Sequence, residues 1–395
     1  MMELTGKFNT AKVFTDNIDS ETISQVITLL NMPYMADLQV RIMPDCHAGK
    51  GCVVGTTIQL KDVVVPNLTG VDLGCGLLAT KLEETAIDLE KLDSVIAEYI
   101  PSGFSTHNHP VTKFKKLHDI YCKIDISNAN KSIGSLGGGN HFIEVDKDSD
   151  GNLWLVIHTG SRHLGIEVCN YYQRLGISKI RSTELSSKIS ETVERLKSEG
   201  KSKDIENTIK ILKMQHQSIP DDLCYVEGED FQSYIHDMDI AQQFAELNRK
   251  TICDIIVSMM GFHVIESFDT IHNYINMNDM ILRKGSISAR LGEKVLIPMN
   301  MRDGSLICIG KGNPDWNYSA PHGAGRILSR SQAKKSVDFE EFKSSMNGIY
   351  TTSVVESTMD EAPMVYKPMD EIVANISDTV DIIDTIKPIY NFKAH

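Results

Sequence analysis

The chain has 395 residues, 41% of them hydrophobic and 24% charged, an ordinary globular balance, and it is long enough to bury a core without disulfide staples. Its eight cysteines form no C-x-x-C pair, which argues against a disulfide framework or a zinc ribbon. The formal net charge of -13 disfavours a non-specific nucleic-acid binder but leaves room for a local basic groove. The opening stretch "MMELTGKFNTAKVFTDN" has no apolar core of a secretory signal, and no apolar run is long enough to cross a bilayer. A soluble, reduced, cytoplasmic protein is expected. Length alone suggests two or three domains.

In chain order, Ser20–Met32 reads as a helix capped by its serine. "GCVVGTTIQL" and "VVVPNL" read as short strands around turns. The loop "GVDLGCG" then sets Asp72 and Cys75 three residues apart between glycines. A thiol with an ordinary pKa of about 8.5 becomes a thiolate on a metal, yet the pair alone reads equally as a loop aspartate and a small buried cysteine. "TAIDLEKLDSVIAEYI" is an amphipathic helix, and "TKFKK", Thr112–Lys116, is a small basic cluster.

"GGGNHFIEV" leads into a strand on which Asn140 and Glu144 share one face and His141 takes the other. "LWLVIHTGSRHLG" is a fully apolar strand ending on His158, and strand ends hold ligands rigidly. His163, further into the loop, is a weaker candidate. Ser182–Gln215 reads as polar helix broken at Gly200, and Asp230–Met260 as a strong helix. On that helix Asn248 falls on the buried stripe of Ala241, Ala245, Ile252 and Ile255. A buried amide needs hydrogen bonds, so Asn248 either reaches a ligand or caps a neighbouring backbone. His272 and Asn273 follow a short apolar stretch. "EKVLIPM" and "SLICIG" are strands. "NYSAPHGAGR" places His322 among residues small enough for backbone to approach a ligand, and "SRSQAKK" is a second basic cluster.

Helices and strands mix without βαβ regularity, which favours an α+β class. None of the glycine-rich stretches is a phosphate-binding P-loop or a dinucleotide fingerprint. One aspartate, one cysteine and three histidines, with His322, could form a dinuclear site in which a shared thiolate bridges two ions, and paired metals are typical of phosphoryl chemistry. Donor softness alone favours zinc, and the residues do not choose the metal.

Taken together, "MPDCHAGKG", "GVDLGCG", "GGGNHFIEV", "HTGSRHLG", "AQQFAELNR", "HNY", "RKGSISAR", "HGAGRILSR" and "YKPMDEI" resemble the RtcB family of RNA ligases over nearly the whole chain. The resemblance implies one domain spanning 1–395 with a deep dinuclear metal cleft. It implies joining of an RNA 3′-phosphate or 2′,3′-cyclic phosphate to a 5′-hydroxyl with GTP and two Mn2+ ions, as in tRNA splicing or RNA repair. One ion falls on Asp72, Cys75 and His141, and the other on Cys75, His158 and His272. His322 matches the guanylylated histidine. Asn140 matches a phosphate contact, Glu144, Ser305, Tyr366 and Lys393 match the surroundings of guanine and ribose, and Ala324 and Gly325 lie where backbone meets the nucleotide.

The chain departs from the family's pattern at "PMNMR", where Asn300 replaces a guanine-contacting serine, at the "FKAH" ending, which keeps Lys393, and at Cys46. The competing readings are a dinuclear-metal phosphodiesterase or phosphatase acting on RNA ends without need of His322, and a non-catalytic metal- and nucleotide-binding protein. An activating protein partner is neither implied nor excluded.

Overall fold

The apolar strands "FIEVDK" and "LWLVIHT" pair with one another at the centre of a seven-stranded, wholly antiparallel sheet. Its strands run in the order Val264–Ile271, Gly76–Leu82, Leu153–Thr159, Phe142–Lys147, Val380–Lys393, Gly304–Gly310 and Lys294–Asn300. The computed structural model describes residues 1–49, 51–215 and 219–394, leaving aside the side chains of 183–185 and 213–215. Lys50 of the "MPDCHAGKG" motif lies outside the described residues.

Leu153–Thr159 is buried along its whole length because both faces of the sheet are covered. On one face Ile143, Leu155 and Ile157 pack with Leu92, Ile96, Ile252 and Ile256 of two helices, each large apolar side chain contributing about 1.5–3 kcal/mol. On the other face Leu77, Phe142, Trp154 and Val156 meet Leu296, Ile307 and Ile386 of the same sheet. The sheet therefore curls until its edge strands meet, where the Leu296 N–H donates to Thr270 Oγ1 at 3.1 Å. A six-stranded sheet, ordered Met2–Thr5, Thr10–Val13, Val40–His47, Val54–Gln59, Ile281–Lys284 and Asn273–Ile275, has its own core around Val26, Val40, Ile58 and Leu282. Mixed helix and strand in several sheets agree with the α+β class.

Several local expectations are corrected. The first helix, Ser20–Leu30, is capped by Asp19, whose carboxylate accepts from the Thr22 N–H at 2.9 Å. "VVVPNL" is a strand only at Val63–Val64, because Pro66 opens a short helix, Pro66–Thr69, its missing N–H costing nothing at a helix start. The polar helix begins at Arg162 and runs to Ser198, so "RHLG" is helix rather than loop. The break at Gly200, with φ 73°, is present. Gly228–Met260 is the long central helix. No helix among the described residues is long and apolar enough to cross a membrane.

Candidate active site

Alternating strand direction brings metal-type donors to one edge of the curled sheet. Gly76 begins its strand just after Cys75, Thr159 ends the next just after His158, Phe142 begins the third just after His141, and Ile271 ends the outer strand just before His272. Leu77 and Phe142 both pair with His158, and the His272 N–H donates to the Cys75 carbonyl at 2.9 Å. Asp72 joins from the turn closed by the Cys75 N–H on its carbonyl. Gly160 explains how it fits, since a Cβ there would lie 2.2 Å from Asp72 Oδ1.

Two groups of donor atoms result, Asp72, Cys75 and His141, and Cys75, His158 and His272, the atoms of each lying within 4.8 Å of one another. Cys75 Sγ lies 3.5 Å from His141 Nε2 and 3.3 Å from His158 Nε2. His141 Nδ1 lies 2.9 Å from the Leu136 carbonyl, and its Nε2 lies 2.9 Å from Asp72 Oδ2. The other carboxylate oxygen of Asp72 accepts from the Ser161 N–H at 3.1 Å. His163 is exposed and belongs to neither group.

The electrostatics suit cations. Burial, then the neighbouring histidines, hold His158 and His272 well below the usual imidazole range, so both rings are neutral donors. Their Nδ1 atoms are buried without a hydrogen-bond partner among the described residues, an arrangement that is costly unless something else satisfies them. Burial, then the Asp72 carboxylate, pushes the Cys75 thiol well above its ordinary value, so a thiolate there requires a cation beside it. Burial works against ionisation of Asp72, but the His141 hydrogen bond and charge bring it below the usual carboxylate value. This donor set fits two divalent ions sharing one sulfur.

His322 follows the strand Ser319–Pro321, and its ring stands 4.9 Å from that of His272, centroid to centroid. Asp45, wholly buried on the strand Val40–His47, accepts from His322 Nδ1 at 2.7 Å and from the His322 N–H at 3.1 Å. That bond places the ring proton on Nδ1 and the lone pair on Nε2. The glycines of "HGAGR" allow this seat, because a Cβ on Gly325, at φ 73°, would lie 2.2 Å from the Asp45 carbonyl oxygen. Asp45 stands inside the quoted "MPDCHAGKG", but nothing in the sequence ties it to a histidine 277 positions away.

Asp72, Cys75, His158, His272 and His322 line a cleft of about 700 Å³, and so do Asn140, Glu144, Asn300, Ala324, Gly325, Tyr366 and Lys393, while His141 is buried outside the lining. Among the nucleotide-type residues Ser305 is the exception. It is fully buried and outside the lining, with its hydroxyl unpartnered among the described residues. Asn300 reaches the cleft, but its amide is engaged in its own turn, donating to Asp303 at 2.8 Å and accepting from the Arg302 and Asp303 N–H groups.

This wall centres on Glu361, a residue that sequence reasoning missed. Glu361 accepts from Tyr366 Oη at 2.7 Å, Lys393 Nζ at 3.0 Å, Arg330 at 2.6 Å and Arg326 at 3.3 Å. Burial opposes its ionisation, but Lys393, Arg330 and Arg326 together hold the carboxyl down at about 2. Glu144 differs. Burial lifts it to about 7 although Lys393 and the Asn391 amide pull the other way.

The central helix braces the donor loops. Asn248 accepts from the Gly134 and Ser135 N–H groups at 2.8 and 3.2 Å and donates to the Ser135 and Gly160 carbonyls, both at 3.1 Å. Backbone capping is thus the alternative that holds. Arg249, also missed, donates to the carbonyls of Gly74 and Thr159, neighbours of Cys75 and His158, and pairs with Asp269.

A sequence model of the family described as "tRNA-splicing ligase RtcB" matches residues 25–125 and 122–394. The RNA-splicing ligase RtcB of Escherichia coli (strain K12) is 30% identical over 420 residues, covering 94% of this chain and 94% of the relative. The tRNA-splicing ligase RtcB of Aeropyrum pernix is 25% identical over 478 residues, covering 94% and 92%. The RNA-splicing ligase RtcB2 of Escherichia coli (strain ATCC 25922) is 25% identical over 384 residues, covering 90% and 87%.

Proposed function

Because the chain belongs to the RtcB family, we propose that it is an RNA ligase that joins 3′-phosphate or 2′,3′-cyclic phosphate ends to 5′-hydroxyl ends, using GTP and two Mn2+ ions, with His322 as the guanylylated residue. The observation that carries the reading is the Asp45–His322 pair set beside the donor groups. A metal-dependent phosphodiesterase would not need His322 as a nucleophile.

Asp72, Cys75 and His141 would hold one ion and Cys75, His158 and His272 the other, and bound ions would polarise phosphate oxygens and offset charge on the leaving group. His322 supplies the Nε2 lone pair to the α-phosphorus of GTP. The bond from that phosphorus to the bridging oxygen breaks, and pyrophosphate leaves with the electron pair. Positive charge grows on the ring, and Asp45, already bonded to Nδ1, stabilises it where it develops. Where the end is cyclic, water first adds to its phosphorus, the bond to O2′ breaks and O2′ takes a proton. An oxygen of the RNA 3′-phosphate then attacks the phosphorus of the bound GMP, the P–N bond breaks and its electrons return to Nε2. The 5′-hydroxyl oxygen finally displaces GMP from the activated 3′ end and loses its proton. Lys393, Tyr366 and Glu144 surround the nucleotide base and ribose, and Ala324 and Gly325 let backbone approach its phosphate.

The test is intact-protein mass spectrometry after incubation with GTP and Mn2+. The expected result is a gain of one GMP, acid-labile and absent from His322→Ala. Undiminished ligation by His322→Ala would overturn the mechanism. Metal-dependent opening of a cyclic phosphate without any adduct would favour the end-processing enzyme.

A further inference from the structure

The cleft extends beyond the donors along the helix Arg162–Ser198, where Val71, Asn170, Arg174 and Ile177 line it. That helix starts at the metal-type centre, since the Ser161 N–H donates to Asp72. Asn170 and Arg174 stand about two and about three turns past Arg162, roughly 12 and 18 Å along the axis.

Most polar groups on this wall are already committed. Gln173 donates to the Asp221 and Cys224 carbonyls and accepts from the Asn67 N–H. Asp222 accepts from Asn67 Nδ2 at 3.2 Å. Lys179 and Arg181, further along the helix, pair with Asp230 and Asp221. Two groups are uncommitted. Arg174 donates only its Nε, to the Asn170 carbonyl at 3.0 Å, and its terminal nitrogens meet no acceptor among the described residues. The Asn170 amide has no partner there either. Asn170, Arg174 and Ile177 fall at i, i+4 and i+7, on one helical stripe. Val71, 42% exposed, adds an apolar surface beside them.

A guanidinium with its fork open suits a phosphate, an idle amide suits a base edge or a 2′-hydroxyl, and exposed aliphatic surface suits a base face. We propose that the Asn170–Arg174–Ile177 stripe is the subsite that holds the RNA strand leading away from the reacting end, with Arg174 on a backbone phosphate. The inference rests on the ligase reading above and adds where the polymer lies.

The experiment measures ligation by Arg174→Ala, Arg174→Glu and Asn170→Ala, varying the 3′-phosphate strand and the 5′-hydroxyl strand separately. Arg174→Ala is expected to raise KM for one strand roughly 5- to 50-fold with little change in kcat, and Arg174→Glu more. The slope of log kcat/KM against log salt becomes shallower by about 0.7, the share of one phosphate contact on a single strand. Whichever strand responds carries the proposal and names the end. Guanylylation of His322 requires no RNA and reports that each variant is folded. If the variants guanylylate normally while KM for both strands and the salt slope are unchanged, the subsite is overturned. If wild type forms no adduct, the ligase reading fails and this inference with it.

Discussion

The two walls of the cleft solve the problem of buried polarity in opposite ways. Along the sheet edge, Cys75, His158 and His272 are neutral or driven toward neutrality by burial, and two imidazole nitrogens are left unsatisfied. Around Glu361, charge is retained, because one carboxylate is matched by two arginines, a lysine and a tyrosine. The first wall is built to be completed by cations. The second is complete already, and a nucleotide settling there must compete for Lys393 and Tyr366 or share them with Glu361. One wall has donors that cations would complete, while the other is completed by its own charge pairs.

The sharpest way to break this contrast is Cys75→Ala. With the shared donor gone, bound metal falls below two per chain and ligation drops by at least about 100-fold, checked by elemental analysis alongside activity. Two ions retained would show that the sulfur is not shared. Next in size is Asp45→Asn, which keeps the shape but no longer holds the His322 proton on Nδ1. Guanylylation should slow by about 100- to 10,000-fold while nucleotide affinity holds, and equal loss in both would make Asp45 a structural residue only.

Glu361→Gln tests the second wall. It removes the charge that its neighbours surround, and the expected loss is about 3 kcal/mol of stability, seen as a lower denaturant midpoint with metal binding intact. The pH dependence separates the two glutamates of this wall. Glu144, raised from 4.5 to about 7, stays protonated in the folded chain while the unfolded chain ionises, so stability falls as pH rises from 4.5 toward 7. Asp146, wholly buried behind it and raised by the same burial, acts in the same direction. Glu361, lowered to about 2, acts the other way, its contribution full above 4.5 and lost as pH falls toward 2. Glu144→Gln should make the decline between pH 4.5 and 7 shallower in chemical denaturation and leave the acid limb unchanged. The smallest effect belongs to Asn300→Ser. Because the Asn300 amide is spent in its own turn, preference for GTP over ATP should change by less than about 1 kcal/mol in competition for guanylylation.

The donors were legible because each sits within two residues of a glycine or after a short apolar stretch, and because their order along the chain matched a family. Their convergence was legible only through that resemblance, since it comes from strand alternation and the curl of the sheet. The same limit hid Asp45 and Glu361, whose partners come from distant segments and leave no local periodicity. The helix from Arg162 was missed because "HTGSR" reads as a turn, and tertiary packing against the central helix overrides that signal. From sequence Ser20 reads as the cap, but Asp19 is an equally good cap residue, and the backbone angles give it the role.

The strand ends that carry Cys75, His141, His158 and His272 belong to segments spread over about half the chain, and only four neighbouring strands together gather them. Metal affinity is then a test of completion. A nascent or damaged chain with one strand unpaired has no place for a pair of ions, whereas a finished one gains stability from binding them. Under the proposed function, ligase chemistry would switch on last, after the scaffold has closed, and bound metal would report on the fold as well as serve the reaction.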